Sequence, residues 1–162
     1  MKFKVNGVEV FASTGGRPFD KKKPLIIFVH GSGLTHMTWV LQTRYFAFHG
    51  YSVLALDLPG HGLSGGESLK TIEDMANWIS DVIDAVGYKE ASLVGHSQGC
   101  LVILECAFRF PKKIKTLSLM GGAGNGNGDG DGDGDNGDNG DDDDDDDDGD
   151  DDDEEDEYDE HE

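Results

Sequence analysis

Apolar residues in the first 120 positions fall into short runs separated by glycine-containing turns. Phe3 to Phe11 alternates polar and apolar residues around Asn6-Gly7, which predicts a β-hairpin with a tight type I′ turn. Further apolar runs are too short for helices and predict strands, some of them covered on both faces. These runs are residues 25–29, 52–58, 91–95 and 114–120.

A helix over residues 72–86 is the clearest prediction in the chain. Its apolar residues recur at intervals of three and four, with polar residues on the opposite side. Thr71 forms a capping pair with Asp74, and Gly87 is suited to end the helix. Weaker patterns predict helices at 37–49 and 98–109. Strands that alternate with helices indicate a parallel α/β sheet.

Composition divides the chain into two unlike parts. Residues 1–122 contain all 13 Lys and Arg but only 10 of the 34 Asp and Glu. Residues 123–162 contain the other 24 acids in Gly-, Asn- and Asp-rich repeats and no Lys or Arg, so this segment alone makes the net charge of −21 strongly negative, against +3 for residues 1–122. We expect a partial domain at 1–122 with a modest core, followed by a disordered acidic tail at 123–162.

The same composition excludes several classes of protein. Strong negative charge argues against nucleic acid as a partner, because phosphates require Lys and Arg. No apolar run approaches the ~18 residues of a membrane helix, and the N-terminus lacks the pattern of a signal peptide. Cys100 and Cys106 are expected to be buried thiols in a reducing compartment. The expectation is a soluble cytoplasmic protein without a membrane partner.

Residues 91–100 predict a buried strand, a sharp turn that carries a serine, and a helix, which is the arrangement of a nucleophile elbow. Gly95 and Gly99 bracket Ser97, since a side chain at either position would collide where the backbone folds back. The turn would expose the Ser97 hydroxyl. It would also place the Gln98 N–H at a helix N-terminus, where it can stabilise an oxyanion. Ser97 is the candidate nucleophile, and the alternative is an incidental serine in a turn.

The loop His30-Gly31-Ser32-Gly33 follows the strand at 25–29. In a parallel sheet this end faces the same way as the elbow, so the backbone N–H of Ser32 or of Gly33 is the second candidate oxyanion donor. The alternative is a flexible loop that only connects a strand to a helix.

A third element, the D-x-x-G-x-G-x-S run at 57–64, follows the strand at 52–58. With these three elements in this order, residues 1–122 closely resemble the α/β-hydrolase superfamily, specifically its small bacterial esterase-like and C–C-bond-hydrolase-like members. The resemblance implies a mostly parallel sheet with helices on both faces, present here to about the sixth strand. It also implies that Asp57 and His61 shape the turn, and that His30, Gly31 and His96 are structural residues beside the site.

The nucleophile refines the reaction that the resemblance implies. Relatives that open epoxides or remove halides carry aspartate at the elbow, whereas Ser97 implies an acyl-type step. The implied function is hydrolysis of an ester, thioester, lactone or carbon–carbon bond in a small-molecule substrate. No metal or other cofactor is implied, because the chemistry needs only serine, a base and water.

The acid and the histidine that would complete a triad are not identified in this chain. In the family they follow the seventh and eighth strands. The only histidine after Ser97 is His161, about 40 residues past the strand at 114–120 on an expected flexible segment. Asp129 is an equally weak candidate for the acid. We therefore expect little or no hydrolysis by this chain alone, and an uncovered sheet face and edge beside 114–120.

A non-catalytic binding protein remains the alternative. One form of it keeps the elbow and binds a substrate-like molecule without turnover. Another acts through the acidic tail, where several residues partly match a calcium loop: Asn127, Asp129, Asp131, Gly132 and Asp138. Asn replaces the first Asp of that loop and Asp replaces its final Glu, so weak cation binding or contact with basic proteins is expected.

Overall fold

The structure is a computed structural model, and it describes residues 1–121. Within these residues the strands are β1 (Lys2–Val5), β2 (Val8–Ser13), β3 (Leu25–Val29), β4 (Ser52–Leu56), β5 (Ala91–His96) and β6 (Ile114–Met120). The helices are α1 (Val40–Ala47), α2 (Ile72–Ala85) and α3 (Gln98–Arg109), with a 3-10 turn at His36–Trp39 directly before α1. The predicted tail at 123–162 lies outside the described residues, together with His161, Asp129 and the calcium-loop match.

The six strands form one sheet in the order β1-β2-β4-β3-β5-β6. The pairs β1–β2 and β2–β4 are antiparallel, and the other neighbours are parallel. The predicted α/β class with a mostly parallel sheet is therefore confirmed. Because β4, β3, β5 and β6 run in the same direction, the loops that follow them meet at one edge of the sheet.

The larger core lies on the face covered by α2 and α3. The predicted apolar stripe of α2 points into it, and its central residues are buried: Met75, Ala76, Ile79, Val82 and Ile83. The capping prediction also holds, since the Thr71 hydroxyl accepts a hydrogen bond of 3.0 Å from the Asp74 N–H. Gly87, with φ of +79°, follows the end of the helix.

A smaller core lies on the opposite face under α1, where the Trp39 and Phe28 rings pack 5.2 Å apart. The predicted helix at 37–49 differs at its start, since its first turn is 3-10 rather than α. The physical reason is the Thr35 hydroxyl, which accepts from the Met37 N–H at 3.2 Å and caps this tighter turn.

The N-terminal hairpin turns at Asn6 and Gly7, whose φ values of +51° and +80° are those of the predicted type I′ turn. The Asn6 side-chain amide donates to the Asp81 carboxylate on α2 at 2.9 Å. This bond fastens the hairpin, which supplies the antiparallel edge of the sheet, to the helix layer.

Both cysteines are free and buried on the inner side of α3. The Cys100 thiol points to the Gly95 carbonyl oxygen at 3.2 Å. Burial raises the pKa of the Cys106 thiol to about 12, and its Sγ lies 3.7 Å from the Ala76 carbonyl oxygen of α2. The two side chains therefore serve as packing groups between α3 and its neighbours.

Strand β6 carries one outer edge of the described sheet, and most of its residues are exposed or half-buried. Leu119 and Met120 near its end are 51% and 42% exposed, which is high for large apolar side chains. Across residues 1–121, no helix has the length and apolar character needed to cross a membrane.

Candidate functional site

Ser97 occupies the junction between β5 and α3, and its backbone has φ of +53° and ψ of −118°. This conformation is strained for any residue with a Cβ atom and is held only where surrounding structure imposes it. The Ser97 N–H donates to the Met120 carbonyl at 3.2 Å, and the Ser97 carbonyl accepts from the Cys100 N–H at 2.9 Å. Hydrogen bonds on both sides of the residue thus hold the turn.

Two glycines allow the backbone to approach itself closely enough for this turn. A Cβ atom at Gly95 would lie 2.5 Å from the Gly99 carbonyl oxygen, so β5 and α3 touch there without side chains between them. A Cβ atom at Gly99 would collide with the Val29 carbonyl oxygen of β3. The first turn of α3 is therefore pressed against the central strand of the sheet.

The loop after β3 lies directly beside Ser97. A Cβ atom at Gly31 would come within 3.2 Å of the Ser97 Cβ, which means that the two backbones are in contact at this point. The loop turns through Gly33, with φ of +69°, and the Leu34 N–H donates to the Gly31 carbonyl at 3.2 Å. Gln98 is the first residue of α3, so its N–H has no acceptor within the helix.

His30 is fully buried and uses both ring nitrogens for structure. Its Nδ1 lies 2.7 Å from the Gly31 carbonyl oxygen, and its Nε2 accepts from the Leu58 N–H at 3.1 Å. These partners place the proton on Nδ1. Burial is the main cause that lowers the pKa of His30, so the ring stays neutral and ties the loop after β3 to the loop after β4.

The Asp57 carboxylate is completely buried and organises the two loops on this side of the site. Its Oδ1 accepts from the His36 N–H at 2.7 Å, and its Oδ2 accepts from the Leu63 N–H at 2.9 Å. Gly62, with φ of +50°, passes so close that a Cβ atom there would collide with the carboxylate. The predicted strand at 52–58 ends at Leu56, because the N–H groups of the next two residues bond outside the parallel ladder.

His36 was not predicted from the sequence as a site residue. Its Nδ1 lies 2.9 Å from Asp57 Oδ1 and 3.0 Å from Oδ2, and its ring packs 4.9 Å from that of Phe11. Nothing in the local sequence distinguishes this histidine, because its partner is 21 positions away and its ring is covered by the N-terminal hairpin.

Comparison with known proteins agrees with this geometry. The family described as having the alpha/beta hydrolase fold matches residues 24–151, which is most of the chain. The chain belongs to the α/β-hydrolase family.

The match to each individual relative extends over only part of that relative's length. The chain is 31% identical over 101 residues to (E)-2-((N-methylformamido)methylene)succinate hydrolase of Acinetobacter baylyi, covering 62% of this chain and 38% of the relative. It is 33% identical over 102 residues to epoxide hydrolase 4 of Mus musculus, and this match covers 60% of this chain and 28% of the relative. Against the solved structure of an epoxide hydrolase from Bacillus megaterium, the TM-score is 0.66 with 28% identity, and the match covers 75% of this chain and 42% of that structure's chain. The chain thus spans between 31% and 38% of the length of the first three curated relatives.

The remaining described histidines of this α/β-hydrolase chain have separate surroundings. His61 directs Nδ1 to the Pro59 carbonyl at 3.0 Å, and its ring lies 5.2 Å from that of His30. His49 directs Nδ1 to the Tyr45 carbonyl. Among residues 1–121, no histidine hydrogen-bonds to the nucleophile candidate of the elbow.

His96, next to Ser97, has a different environment. Its ring meets the Trp39 ring edge-on with centroids 6.2 Å apart. The His96 Nδ1 and the Trp39 Nε1 are both buried without a hydrogen-bond partner. This contact packs the Trp39 ring of the 3-10 turn against the residue that precedes Ser97.

In the described part of the chain, no group of three or more His, Cys, Asp or Glu side chains is arranged to hold a metal ion.

Proposed function

We propose that the chain carries the nucleophile and the oxyanion hole of a serine hydrolase that acts on an ester-like small molecule. Ser97 is the nucleophile in this proposal. The observation that carries it is the strained backbone of Ser97, with φ of +53° at the junction of β5 and α3. Such strain persists where the position of a side chain matters for chemistry.

The oxyanion donors proposed are the backbone N–H of Gln98 and that of Ser32 or Gly33. Support comes from the first position of Gln98 in α3 and from the contact of Gly31 with Ser97. A negative oxygen formed on the substrate would gain from the positive end of the α3 dipole as well as from the N–H groups.

Serine at the elbow favours an acyl-type step: hydrolysis of an ester, thioester, lactone or carbon–carbon bond. Epoxide hydrolases are among the relatives, but family members that open epoxides use an aspartate nucleophile. The Ser97 oxygen attacks the substrate carbonyl while a base takes the hydroxyl proton. The tetrahedral oxyanion then collapses and expels the alcohol, thiol or carbon leaving group, which takes up that proton, and water hydrolyses the acyl-enzyme that remains.

The rate proposed for this chain alone is low, because serine is a weak nucleophile without a histidine base. The described histidines support this, since none of the five forms a hydrogen bond to Ser97. The alternative, a binding protein that does not turn over its ligand, predicts the same low rate of hydrolysis. The two proposals differ because only the hydrolase proposal requires Ser97 to react as a nucleophile.

Labelling with a fluorophosphonate, with and without added imidazole, tests the proposal. We expect slow modification of Ser97 alone, accelerated by imidazole, with the modified peptide identified by mass spectrometry. Ser97→Ala should abolish labelling, while Ser92→Ala, on the strand that leads into the elbow, should leave it unchanged. Labelling that persists in Ser97→Ala would reject Ser97 as the nucleophile. Labelling that imidazole does not accelerate would reject the proposal that Ser97 reacts slowly because it has no base. Rapid labelling without imidazole would contradict the low rate.

A further inference from the structure

A cavity of about 250 Å³ lies between the end of β2 and the segment formed by the 3-10 turn and α1. Ser97 directly follows β5, which is three positions from β2 in the sheet order. The residues that line the cavity include neither Ser97 nor the proposed oxyanion donors Gln98, Ser32 and Gly33. The cavity is therefore a separate compartment, and a ligand there would not be the group that Ser97 attacks.

One positively charged side chain, Arg44, lines the cavity. Its guanidinium carbon lies 5.2 Å from the centre of the Phe48 ring, and the guanidinium carbon of Arg17, which is outside the lining, lies 4.9 Å from the same centre. Neither arginine forms an ion pair with any carboxylate of residues 1–121. An arginine in a cavity wall without a carboxylate partner favours an anion.

A neutral donor lines the same cavity. The Ser13 hydroxyl oxygen accepts from the Gly15 N–H at 3.3 Å, which leaves its own proton to donate. His36 also lines the cavity, but because it directs Nδ1 to Asp57, the Nε2 of its neutral ring is an acceptor and not a donor.

The glycines of this loop keep the cavity open. A Cβ atom at Gly15 would collide with the Thr43 carbonyl oxygen, so this residue fixes the loop against α1. At Gly16 the nearest atoms to a Cβ would be Phe48 at 3.8 Å and an Arg44 guanidinium nitrogen at 4.0 Å. The Gly16 backbone therefore faces the arginine without a side chain between them.

The remaining wall is apolar. Met37 and Val40 line the cavity and are 64% and 48% exposed, although both are large apolar side chains on an ordered helical segment. A ligand that only carried charge would leave this wall in water. A ligand with an apolar body would cover it and gain free energy from the area removed from solvent.

We propose that this cavity binds a small amphiphilic anion. A phosphate or carboxylate group pairs with Arg44 and the Ser13 hydroxyl, and an apolar body packs on Met37 and Val40. The site is distinct from the elbow and goes beyond the hydrolytic function proposed above. The cavity is also bordered by His36, whose ring bonds to the Asp57 carboxylate that organises the loops beside Ser97.

Titration calorimetry on the complete 162-residue chain tests this, with phenyl phosphate, benzoate and neutral benzyl alcohol as probes at constant ionic strength. We expect saturable one-to-one binding of at least one anion in the millimolar range or tighter, and none of benzyl alcohol. The anion that binds more tightly identifies the head group. Arg44→Gln should weaken binding about tenfold, because it removes a charge-assisted hydrogen bond.

Two controls separate this site from general charge and from the elbow. Lys112→Gln removes the same charge from an exposed position on the loop between α3 and β6, and should leave binding unchanged. Ser97→Ala should also leave it unchanged. The proposal is overturned if neither anion saturates, if Arg44→Gln binds as the wild type does, or if Lys112→Gln weakens binding equally. Loss of binding in Ser97→Ala would place the ligand at the elbow and overturn it as well.

Discussion

The Nδ1 atom of His36 lies 2.9 Å from Oδ1 of Asp57, a carboxylate with no exposed surface. The same carboxylate accepts from the N–H groups of His36 and Leu63, so one side chain holds the start of the 3-10 turn and the loop after β4. Removal of an acceptor that serves two loops leaves buried donors without partners.

Asp57→Ala should therefore lower the free energy of unfolding by about 2–5 kcal/mol, measured by urea denaturation. The matched control is Asp84→Ala, which breaks the Lys113 ion pair at a carboxylate that is 61% exposed. That substitution should cost less than about 1 kcal/mol, because exposed ion pairs contribute little. Equal effects of the two substitutions would show that the buried carboxylate is not the organiser of these loops.

Gly99→Ala should destabilise the fold by about 1–3 kcal/mol or more, because the new methyl group collides with the Val29 carbonyl oxygen. Gly65→Ala is the control, since its Cβ would meet only the Glu9 carbonyl oxygen at 3.5 Å and a Val8 methyl at 3.6 Å. We expect that control to lie within about 0.5 kcal/mol of the wild type in thermal or urea unfolding. A tolerated Gly99→Ala would mean that the first turn of α3 is not pressed against β3.

Ser97→Gly should be more stable than Ser97→Ala by about 1 kcal/mol or more, because glycine adopts a φ of +53° without strain. Both variants lose the hydroxyl, so their difference isolates the backbone strain. The same pair of substitutions at Ser92, inside β5, should show the opposite order, since glycine weakens a strand interior. The expected reversal is measured by comparing urea midpoints of the four variants.

Thr71→Ala should destabilise α2 by about 1 kcal/mol, because it removes the acceptor for the Asp74 N–H. Thr116→Ala, at an exposed position of β6, provides the comparison for loss of a threonine that caps no helix. Circular dichroism at 222 nm during thermal unfolding measures both. A Thr71→Ala midpoint equal to that of wild type would show that the cap contributes nothing.

Stability should fall as the pH is lowered through the ordinary pKa of histidine, because burial lowers the pKa of His30 in the folded chain. The unfolded chain then binds a proton that the folded chain excludes, so this contribution is complete above about pH 6.5 and is lost below it. His30→Gln should reduce the difference in urea midpoint between pH 7.5 and 5.5, whereas His49→Gln at an exposed ring should not. An unchanged difference in His30→Gln would assign the pH dependence to other groups.

Elements with strong local signals could be predicted from the sequence. The apolar stripe of α2, its Thr71 cap and the Asn6-Gly7 turn depend on residues only a few positions apart, so the local sequence is sufficient to predict them. The strands of the central sheet were also predicted, because parallel strands buried on both faces leave continuous apolar runs. The family followed from three motifs in the correct order.

Features that depend on distant partners could not be predicted. The role of His36 requires Asp57 and Phe11 to be brought to it by other strands, and nothing in residues 30–39 indicates that. The cavity at Arg44 forms only because Gly15 packs against α1, a contact between segments 28 positions apart.

Cys100 and Cys106 can serve as chemical probes of local opening in the native chain. Both thiols are buried against carbonyl oxygens, which shields them from reagents while α3 is in place. Burial also raises the pKa of Cys106 to about 12, so that thiol supplies little reactive thiolate. An alkylating reagent can therefore react at an appreciable rate only when α3 moves away from the sheet. The elbow sits at the start of that helix, so the rate of cysteine alkylation reports how often the structure behind Ser97 comes apart.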